Sequence, residues 1–585
     1  MQSDKRWLLH YPNQIPHELT IPNETLQSYL FSSAEAAPEH TAIHFLGKNI
    51  TYEQLQEDVL KLASHLMKIG VKKGDRVAIM LPNCPQSVIS YYAVLIAGGI
   101  VVQTNPLYTE KELEYQMEDS GAKVLITLDL LYPKAYKMKA LTSVEHLIVT
   151  KLQDYLTFPK NILFPIVQRR KNKMVIQVEK NDTIHHFAQI MKESEGEQQI
   201  PALAFDPKED IAVLQYTGGT TGLPKGVMLT HENILANTEM CASWMYKTTR
   251  GKERILGIIP FFHVYGMTTV LNLAVKEGHQ MILLPRFDVA DTLKTIEKQK
   301  PTLFPGAPTM YIALLHHPNI EKYDLSSISA CLSGSAALPV EVKQSFEKLT
   351  GGRLVEGYGL SETSPVTHSN FLWGANKTGS IGCPWPNTDA GIYCEETGGL
   401  KEPYEHGEII VKGPQIMKGY WNQPEETEAV LRDGWFFTGD IGYMDEDGFF
   451  YIVDRKKDVI IASGYNIYPR EVEEALYEHE LVQEVVVAGI PDPYRGETVK
   501  AFVVPKKGAY LTEDELDRFV RTRIASFKVP RVYEFKESLP KTAVGKILRR
   551  VLIEEEKEST LLHLKRLPIN RKHNGFIIRS TGRMI

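Results

Sequence analysis

Residues 216–226 read Tyr216-Thr217-Gly218-Gly219-Thr220-Thr221-Gly222-Leu223-Pro224-Lys225-Gly226, and they lie between two apolar runs at 211–214 and 227–229. An apolar run, a turn and a second apolar run predict a strand, a loop and a second strand. The glycines allow positive φ and close approach of a ligand, the threonines supply hydroxyls, and the lysine adds a positive charge. These groups predict a phosphate-binding loop.

This loop differs from the familiar P-loop in its spacing. No pair of its glycines has the Gly-x4-Gly-Lys-Ser/Thr pattern, and its lysine lies in Pro-Lys-Gly with no helix start directly after it. The alternative is a flexible hairpin turn, which needs roughly two to five residues. Because the stretch is longer than a hairpin requires and carries hydroxyls and a lysine, phosphate binding is the preferred interpretation.

Size and composition indicate a globular protein with several subdomains. The chain has 585 residues, 43% hydrophobic residues, 24% charged residues and a formal charge of -6. This balance implies no general nucleic-acid partner. The five cysteines are scattered and the N-terminus shows no secretory signal, so we expect reduced thiols and a cytoplasmic location. The longest apolar run, 88–102, is short of the ~20 residues that span a bilayer, and it predicts a buried helix leading into a strand.

The order of the predicted elements indicates an α/β fold. Strand and helix patterns alternate to about residue 150 and again from 211 to 370, which predicts two doubly wound subdomains with parallel sheets. Short strands separated by glycines from 375 to 450 predict a small β-barrel-like region. In the first subdomain, Thr51 is a good N-cap for an amphipathic helix whose apolar stripe includes Leu55 and Val59.

The charged run 454–458 predicts a linker between two domains. It follows a large N-terminal domain, 1–453, and precedes a compact α+β pattern that predicts a small C-terminal domain, 459–558. The tail 559–585 is basic, contains no acidic residue and has little periodicity, so we expect it to be disordered.

The segment 151–200 interrupts the alternation of strands and helices. An apolar and aromatic run at 156–167 is followed by a cationic run at 168–173. Such a pair can lie on an anionic lipid surface. The alternative is a surface insertion whose apolar side packs on the domain, and the residues by themselves do not favour either interpretation.

Further segments carry residues suited to nucleotide chemistry. The motif Gly357-Tyr358-Gly359-Leu360-Ser361-Glu362-Thr363 groups an aromatic ring, a hydroxyl and a carboxylate, which can serve a base, a phosphate and a cation. Its alternative is a helix start capped by Ser361. Asp440 can accept two hydrogen bonds from vicinal hydroxyls. Lys546 lies in the pattern Pro-Lys-Thr-x-x-Gly-Lys, although a single lysine can equally be a solvated surface charge.

Together these segments resemble the adenylate-forming superfamily, which holds the acyl-CoA synthetases, the firefly luciferases and the adenylation domains of peptide synthetases. The resemblance is carried by the segments 217–226, 357–363, 435–440, 451–458 and 539–546. It extends to about residue 556, and within the superfamily the chain is most similar to bacterial long-chain fatty acid–CoA ligases. The chain departs from the pattern at Ser361, where threonine is commoner, and in its basic tail.

The resemblance implies roles for individual residues. Lys546, Glu362 and Thr217 are implied in catalysis, and Glu362 and Thr217 in holding Mg²⁺. Lys457 is implied as the hinge of a mobile C-terminal domain. The residues implied in binding the nucleotide or CoA are Thr217, Gly218, Gly219, Thr220, Thr221, Gly222, Lys225, Gly334, Tyr358, Gly359, Ser361, Asp440, Arg455 and Gly464.

Two apolar segments that contain glycine, 260–267 and 305–309, predict a pocket for the acyl group. The candidate substrate-binding residues are His263, Val264, Tyr265, Gly266, Gly306 and Ala307. His263 could contact the carboxylate or gate the entrance, and the alternative for this lone histidine is a structural role.

The resemblance implies an AMP-forming acyl-CoA ligase with Mg²⁺ as cofactor and ATP and CoA as co-substrates. We expect a long-chain fatty acid as substrate, no nucleic-acid partner and, through the insertion at 151–173, peripheral association with the inner face of the membrane. The sequence leaves the oligomeric state open, with a homodimer among the candidates. The alternatives are an aryl or medium-chain ligase, an adenylating enzyme that loads a carrier protein, and a nucleotide-binding membrane adaptor without turnover. The adaptor is disfavoured because Lys546, Glu362 and Asp440 occur together.

Overall fold

The structure is a computed structural model that describes residues 5–163, 176–193, 200–201, 203–217, 224–462, 465–492, 494–542 and 545–556. The chain divides into two compact units. The larger unit comprises Met1–Lys457 and Thr542–Lys546, and the smaller comprises Asp458–Lys541 and Ile547–Ile585. The boundary after Lys457 lies inside the segment 454–458, whose function as a linker stays a prediction.

The strands are numbered in chain order. They are β1 (Thr41–Phe45), β2 (Lys48–Thr51), β3 (Arg76–Met80), β4 (Ile100–Gln103), β5 (Val124–Leu128), β6 (His146–Thr150), β7 (Ile184–His186), β8 (Ile211–Thr217), β9 (Lys225–Thr230), β10 (Arg254–Gly257), β11 (Gln280–Leu283), β12 (Ala330–Ser333), β13 (Arg353–Gly359), β14 (Val366–Ser369), β15 (Cys383–Pro384), β16 (Asp389–Tyr393), β17 (Gly407–Lys412), β18 (Gly419–Tyr420), β19 (Leu431–Arg432), β20 (Trp435–Met444), β21 (Phe450–Arg455), β22 (Ile460–Ala462), β23 (Tyr465–Ile467), β24 (Val482–Asp492), β25 (Gly496–Pro505) and β26 (Val532–Phe535).

The helices connect these strands and cover the sheets. The α-helices are Gln27–Ala36, Tyr52–Lys68, Pro85–Ile96, Glu110–Ser120, Tyr132–Leu141, Phe187–Glu193, His231–Trp244, Val264–Gly266, Leu273–Glu277, Val289–Gln299, Pro308–Leu315, Val340–Thr350, Pro424–Val430, Pro469–Tyr477 and Glu513–Arg521. A π-helix, Met267–Asn272, joins two of them. The 3-10 helices are Arg6–His10, Asp129–Leu131, Leu152–Tyr155, Ile320–Lys322 and Ser361–Thr363.

An eight-stranded sheet carries the predicted phosphate loop. Its order is β18-β9-β8-β4-β3-β5-β6-β7, with parallel pairing from β8 through β7 and antiparallel pairing of β9 and β18 at the other end. Helix Pro85–Ile96 is buried along its whole length and leads into β4, as the apolar run 88–102 predicts. The carboxyl end of β8 is where the loop begins, at an edge where parallel sheets commonly bind ligands.

A second sheet system has the order β10-β11-β1-β2, and the sheet β12-β13-β14-β15 continues it through bridges at Leu303. Strand β1 pairs in parallel with β11, and Ile43 lies opposite Met281, 238 residues later in the sequence. The sequence predicts one doubly wound subdomain up to about residue 150 and a second from 211 to 370. In the structure two segments are exchanged between them, because β1 and β2 join the second sheet, whereas β8 and β9 join the first.

Strands β16 to β21, apart from β18, form the region of short strands expected at 375–450. Their order is β16-β17-β20-β19, with β21 paired to β20, and every pair is antiparallel. In the smaller unit, β23-β22-β25-β24 and β26 form one sheet with helices Pro469–Tyr477 and Glu513–Arg521. This composition matches the predicted small α+β domain.

Local signals in the sequence are reproduced closely. Thr51 caps helix Tyr52–Lys68 with a capping box, in which its hydroxyl accepts from the Gln54 amide at 3.2 Å and its own amide donates to the Gln54 side chain at 3.1 Å. Leu55 and Val59 are fully buried on the core-facing side. No helix among the described residues is both long and apolar enough to cross a bilayer.

Candidate active site

The predicted phosphate loop lies between two paired strands, β8 and β9. Thr217 ends β8 opposite Lys225, the first residue of β9, so the strand, loop and strand prediction is confirmed. Two tyrosine hydroxyls fix the flanks of the loop: Tyr115 donates to the Pro224 carbonyl at 3.0 Å, and Tyr216 donates to Asp119. The loop therefore begins and ends at positions held by the sheet.

Lys225 has neighbours from a distant part of the chain. Its ammonium pairs with the Glu426 carboxylate and lies 4.9 Å from the centre of the Tyr420 ring. A lysine over an aromatic face is attracted by the negative charge of that face. These contacts hold the lysine beside the loop whose phosphate it is predicted to bind.

Tyr358, Asp440 and Arg455 meet in one hydrogen-bonded group. The Tyr358 hydroxyl donates to Asp440 Oδ2, and Arg455 Nε lies 2.6 Å from Asp440 Oδ1. Asp440 and Arg455 face each other on β20 and β21, which explains their proximity. Burial and the Asp440 carboxylate raise the pKa of Tyr358 above its usual range, so the hydroxyl stays protonated and donates. The fold thus joins Tyr358, whose ring is predicted to serve a base, to Asp440, which is predicted to accept from vicinal hydroxyls.

Glu362 follows this group in a short 3-10 helix, Ser361–Thr363. Its backbone carbonyl accepts from the Met417 amide at 2.8 Å, and its Oε1 accepts from the Tyr420 hydroxyl at 2.8 Å. Residue 360, and not Ser361, is the N-cap of this helix, which leaves the Ser361 hydroxyl outside the capping role that the alternative assigned to it.

Gly359 is required by packing at the end of β13. A methyl group added there would lie 2.0 Å from the Pro365 carbonyl oxygen, a separation that only glycine avoids. The glycine therefore lets β13 and β14 approach each other between Tyr358 and Glu362. Its role as a nucleotide contact stays a prediction.

The predicted Mg²⁺ ligands are Glu362 and Thr217, which offer a carboxylate and a hydroxyl. Both are hard oxygen donors, and Mg²⁺ in nucleotide sites is usually held by one or two protein groups together with phosphate oxygens and water. Among the described residues there is no group of three or more His, Cys, Asp or Glu side chains suited to a metal. The donor set fits a cation bound mainly through phosphate.

The predicted acyl-pocket segments come together around Tyr265. Its hydroxyl donates to the Leu332 carbonyl at 2.5 Å and lies 3.3 Å from the Gly306 carbonyl, while the Gly334 amide donates to Gly306 at 3.1 Å. A methyl group on Gly334 would lie 3.3 Å from the Tyr265 ring. Val264, Tyr265, Gly266 and Ala307 are buried. These residues form one apolar region of the larger unit.

His263 begins the helical stretch that contains Tyr265. Its Nδ1 accepts from the Tyr265 amide at 3.2 Å, so the proton of the neutral ring lies on Nε2. Burial and, to a smaller extent, the positive charge of Lys546 lower the pKa of His263 to about 4. The ring is therefore neutral at pH 7. His263 has a structural role as the N-cap of this helical stretch, and its Nε2–H can act as a hydrogen-bond donor. The geometry is compatible with the structural role and with the predicted contact to the substrate carboxylate.

The segment Thr542–Lys546 groups with the larger unit although its neighbours in sequence belong to the smaller one. The Thr542 amide donates to the Lys546 carbonyl at 2.8 Å, and the Lys546 amide donates to the Thr542 hydroxyl at 3.1 Å. These two hydrogen bonds hold the backbone of Lys546, whereas its side chain is exposed. Lys457 lies in a turn at 456–458.

Several predicted residues lie outside the described part of the chain. They are Gly218, Gly219, Thr220, Thr221, Gly222 and Gly464. The same is true of the whole cationic run at 168–173 and of the tail 559–585, so their predicted roles stay predictions.

Sequence reasoning missed three side chains that organise the site. Asn83, which follows β3, donates to the carbonyls of Gly257 and Ile259 and accepts from the Phe261 amide at 2.9 Å. Gln215 donates to the Phe262 carbonyl at 3.0 Å, and Tyr420 contacts both Lys225 and Glu362. The position of Asn83 after a parallel strand was a usable signal, whereas nothing local marks Tyr420.

Comparisons with known proteins agree with this geometry. A family model described as AMP-binding enzyme matches residues 30–421, and one described as AMP-binding enzyme C-terminal domain matches residues 471–546. A long-chain-fatty-acid–CoA ligase of Bacillus subtilis (strain 168) is 69% identical over 96% of this chain and 99% of its own length. A ligase of the same name from Salmonella typhimurium is 39% identical over 94% of this chain and 98% of its own. A solved anthranilate CoA ligase in complex with anthranoyl-AMP is 26% identical, with a TM-score of 0.81 over 93% of this chain and 99% of that protein.

Proposed function

The chain belongs to the family of AMP-binding enzymes, and on that premise we propose that it activates a long-chain fatty acid with ATP and transfers the acyl group to CoA. The activity is that of an ATP-dependent long-chain fatty acid–CoA ligase. In the first half-reaction a carboxylate oxygen attacks the α-phosphorus of ATP, an acyl–oxygen–phosphorus linkage forms and pyrophosphate leaves. In the second, the CoA sulfur attacks the acyl carbon, the thioester forms and AMP leaves.

The observation that carries the proposal is the hydrogen-bonded group of Tyr358, Asp440 and Arg455. A ring for stacking, a carboxylate for vicinal hydroxyls and a guanidinium for phosphate are the three groups that an adenosine phosphate requires. Local sequence patterns 82 residues apart supply the first two, and the fold brings them into contact.

The larger unit supplies the parts needed for the first half-reaction. Thr217 and Lys225 border the loop that would hold the β- and γ-phosphates, and Glu362 with Thr217 would hold Mg²⁺, which neutralises phosphate charge when bound. Lys546 would neutralise charge between the fatty acid carboxylate and the α-phosphate as the displacement proceeds. The neutral His263 would border the carboxylate without competing with Lys546 for it.

The acyl chain would occupy the apolar region around Tyr265, Gly306 and Ala307. The region is buried and apolar, and aliphatic contacts favour a hydrocarbon over a charged group. One buried methylene contributes about 0.8 kcal/mol, so a long chain gains affinity with each carbon that the region encloses.

The test is AMP formation from ATP and CoA with octanoate, palmitate, oleate and 4-coumarate. We expect AMP with palmitate and oleate, and a fall of about 10³-fold in the variant Lys546→Ala because the charge that stabilises the transition state is lost. The matched control is Lys541→Ala, since Lys541 lies in the same motif but pairs with Glu484. Turnover with 4-coumarate alone would contradict the fatty acid substrate and favour an aryl acid. AMP release only in the presence of a carrier protein would contradict CoA as the acyl acceptor.

We also propose peripheral association with an anionic membrane through the segment 156–173. Phe158, Ile162 and Leu163 are 76%, 58% and 53% exposed, and they precede the cationic run 168–173 in the same segment. Exposed apolar side chains next to basic residues suit the surface of an anionic bilayer.

Sedimentation with lipid vesicles measures this association. We expect binding to vesicles that contain phosphatidylglycerol, weaker binding to neutral vesicles, and roughly tenfold weaker binding after the double change Phe158→Ser and Ile162→Ser, which removes apolar area from the interface. Exposed Leu9→Ser is the matched control. Equal binding by the double variant and the control would reject this segment as the contact.

A further inference from the structure

Tyr420 is a buried tyrosine in β18 that touches two separate parts of the nucleotide site. We propose that Tyr420 is a positioning residue, which orients the Mg²⁺-binding carboxylate of Glu362 and ties it to the phosphate loop. This inference rests on the proposed function, because it assigns a task within the same ATP site. It concerns a residue that lies in none of the motifs from which the site was predicted.

The first contact is with Glu362. The Tyr420 hydroxyl donates to Glu362 Oε1 at 2.8 Å, and within the described part of the chain it is the one side chain that donates to this carboxylate. The backbone next to Tyr420 holds the same residue, since the Met417 amide donates to the Glu362 carbonyl at 2.8 Å. Segment 417–420 therefore fixes both the main chain and the side chain of Glu362.

The second contact is with the phosphate loop. Gly419 and Tyr420 pair with Met228 and Val227 of β9, and the Trp421 amide donates to the Gly226 carbonyl at 2.7 Å. This pairing places β18 beside the strand that leaves the loop.

The ring of Tyr420 extends the contact to the loop lysine. The ammonium of Lys225 lies 4.9 Å from its centre, and the same ammonium pairs with Glu426. The ring face thus meets the lysine, while the hydroxyl at the end of the same ring meets the carboxylate. One rigid side chain sets the spacing between the two charged groups.

The chemistry of the hydroxyl suits this task. A carboxylate has two oxygens and about four lone-pair sites, so a bond to Oε1 orients the group and leaves Oε2 as a ligand for a cation. A tyrosine hydroxyl is protonated at neutral pH and can therefore donate this hydrogen bond. Partners that orient a metal ligand commonly contribute about tenfold or more to metal affinity.

The test compares Tyr420→Phe with the parent enzyme and with Tyr246→Phe. The first change removes only the hydroxyl and keeps the ring beside Lys225. Tyr246 is a matched control because its hydroxyl also makes one hydrogen bond, to the Trp373 carbonyl at 2.6 Å, away from these groups. ATP binding is measured by calorimetry with Mg²⁺ and with EDTA, and AMP formation with palmitate is measured over a range of Mg²⁺ concentrations.

For Tyr420→Phe we expect about tenfold weaker ATP binding in Mg²⁺, ATP binding within twofold of the parent in EDTA, and about tenfold more Mg²⁺ for half-maximal AMP formation. Tyr246→Phe should behave as the parent in all three measurements. Equal weakening of ATP binding with and without Mg²⁺, or no weakening, would overturn the positioning role.

The two proposals fail in different ways. If the parent makes no AMP from any acid, the ligase assignment fails, while the calorimetric comparison with Mg²⁺ and EDTA still decides the role of Tyr420. If the parent makes AMP and the Tyr420→Phe variant keeps the parental response to Mg²⁺, the ligase assignment stands and the positioning role fails.

Discussion

Asp440 is a buried carboxylate, 3% exposed, and both of its oxygens contact a donor: Tyr358 at Oδ2 and Arg455 at Oδ1. A buried charge persists in a fold when a counter-charge and hydrogen bonds compensate its loss of hydration. The same groups are those that the ribose of a nucleotide would meet. In the proposed site, stability of the folded chain and recognition of the nucleotide would therefore depend on the same groups.

Replacing Asp440 with asparagine should weaken ATP binding by about 10- to 100-fold. The change keeps the shape but removes the charge that Arg455 pairs with, and it turns one acceptor into a donor. Calorimetric titration with ATP measures the loss. The control is Asp447→Asn, at an exposed carboxylate that pairs with Lys377, and comparable losses in the two variants would contradict a specific role for Asp440.

The turn at 456–458 contains the first point at which the chain passes from the larger unit to the smaller one, and its ends are tied within different units. Lys456 pairs with Glu395 and Glu408 of the larger unit, and Asp458 pairs with Arg549 of the smaller one. Lys457 lies between these two anchored residues. A change of backbone dihedral angles at a single position can reorient a domain only where the flanking residues are fixed to separate bodies.

Lys457→Pro should separate the two half-reactions. Proline fixes φ near -65° and removes the backbone N–H, so we expect thioester formation to fall by at least about tenfold while acyl-adenylate formation changes by less than about threefold. Single-turnover assays of pyrophosphate release and of acyl-CoA measure the two steps. Lys457→Ala removes the side chain but keeps the backbone free, and it should match the parent. An equal fall in both steps for the proline variant would argue against a hinge.

At the scale of the whole molecule, buried histidines link stability to pH. Burial lowers the pKa of His231, His263 and His279 to about 4 and that of His368 to about 3. The unfolded chain takes up these protons near pH 6.5, whereas the folded chain resists them until about pH 4. Between these values the unfolded state binds more protons, so stability is full above about pH 6.5 and falls as the pH is lowered.

The free energy of unfolding should therefore decrease between pH 7 and pH 5, by about 2 kcal/mol for each of these histidines, and the melting temperature should drop with it. The pKa of His231 is lowered mainly by burial. In the variant His231→Asn the drop in melting temperature should be smaller, because asparagine gains no proton in this pH range. Differential scanning calorimetry at the two pH values measures the change. His316→Asn, at an exposed histidine, should leave the drop as it is in the parent, and an unchanged drop in His231→Asn would refute the link.

Much of the fold and several site motifs could be predicted because they depend on neighbours in sequence. The loop at 216–226, the capping box at Thr51 and the buried helix before β4 each follow from spacing, propensity and turn chemistry over a few residues. The roles of Glu362, Asp440 and Lys546 came from a family resemblance carried by contiguous motifs, and their tests remain to be made.

The sequence by itself determined the α/β class, the position of the loop and the family, since these are encoded in local periodicity and contiguous motifs. Only the tertiary structure decided that β1 joins β11, that Tyr358 meets Asp440 82 residues away, and that Tyr420 meets Glu362 58 residues away. Such contacts depend on sheet order and strand register. Periodicity states which face of a strand is buried, but it does not state which distant strand will lie beside it.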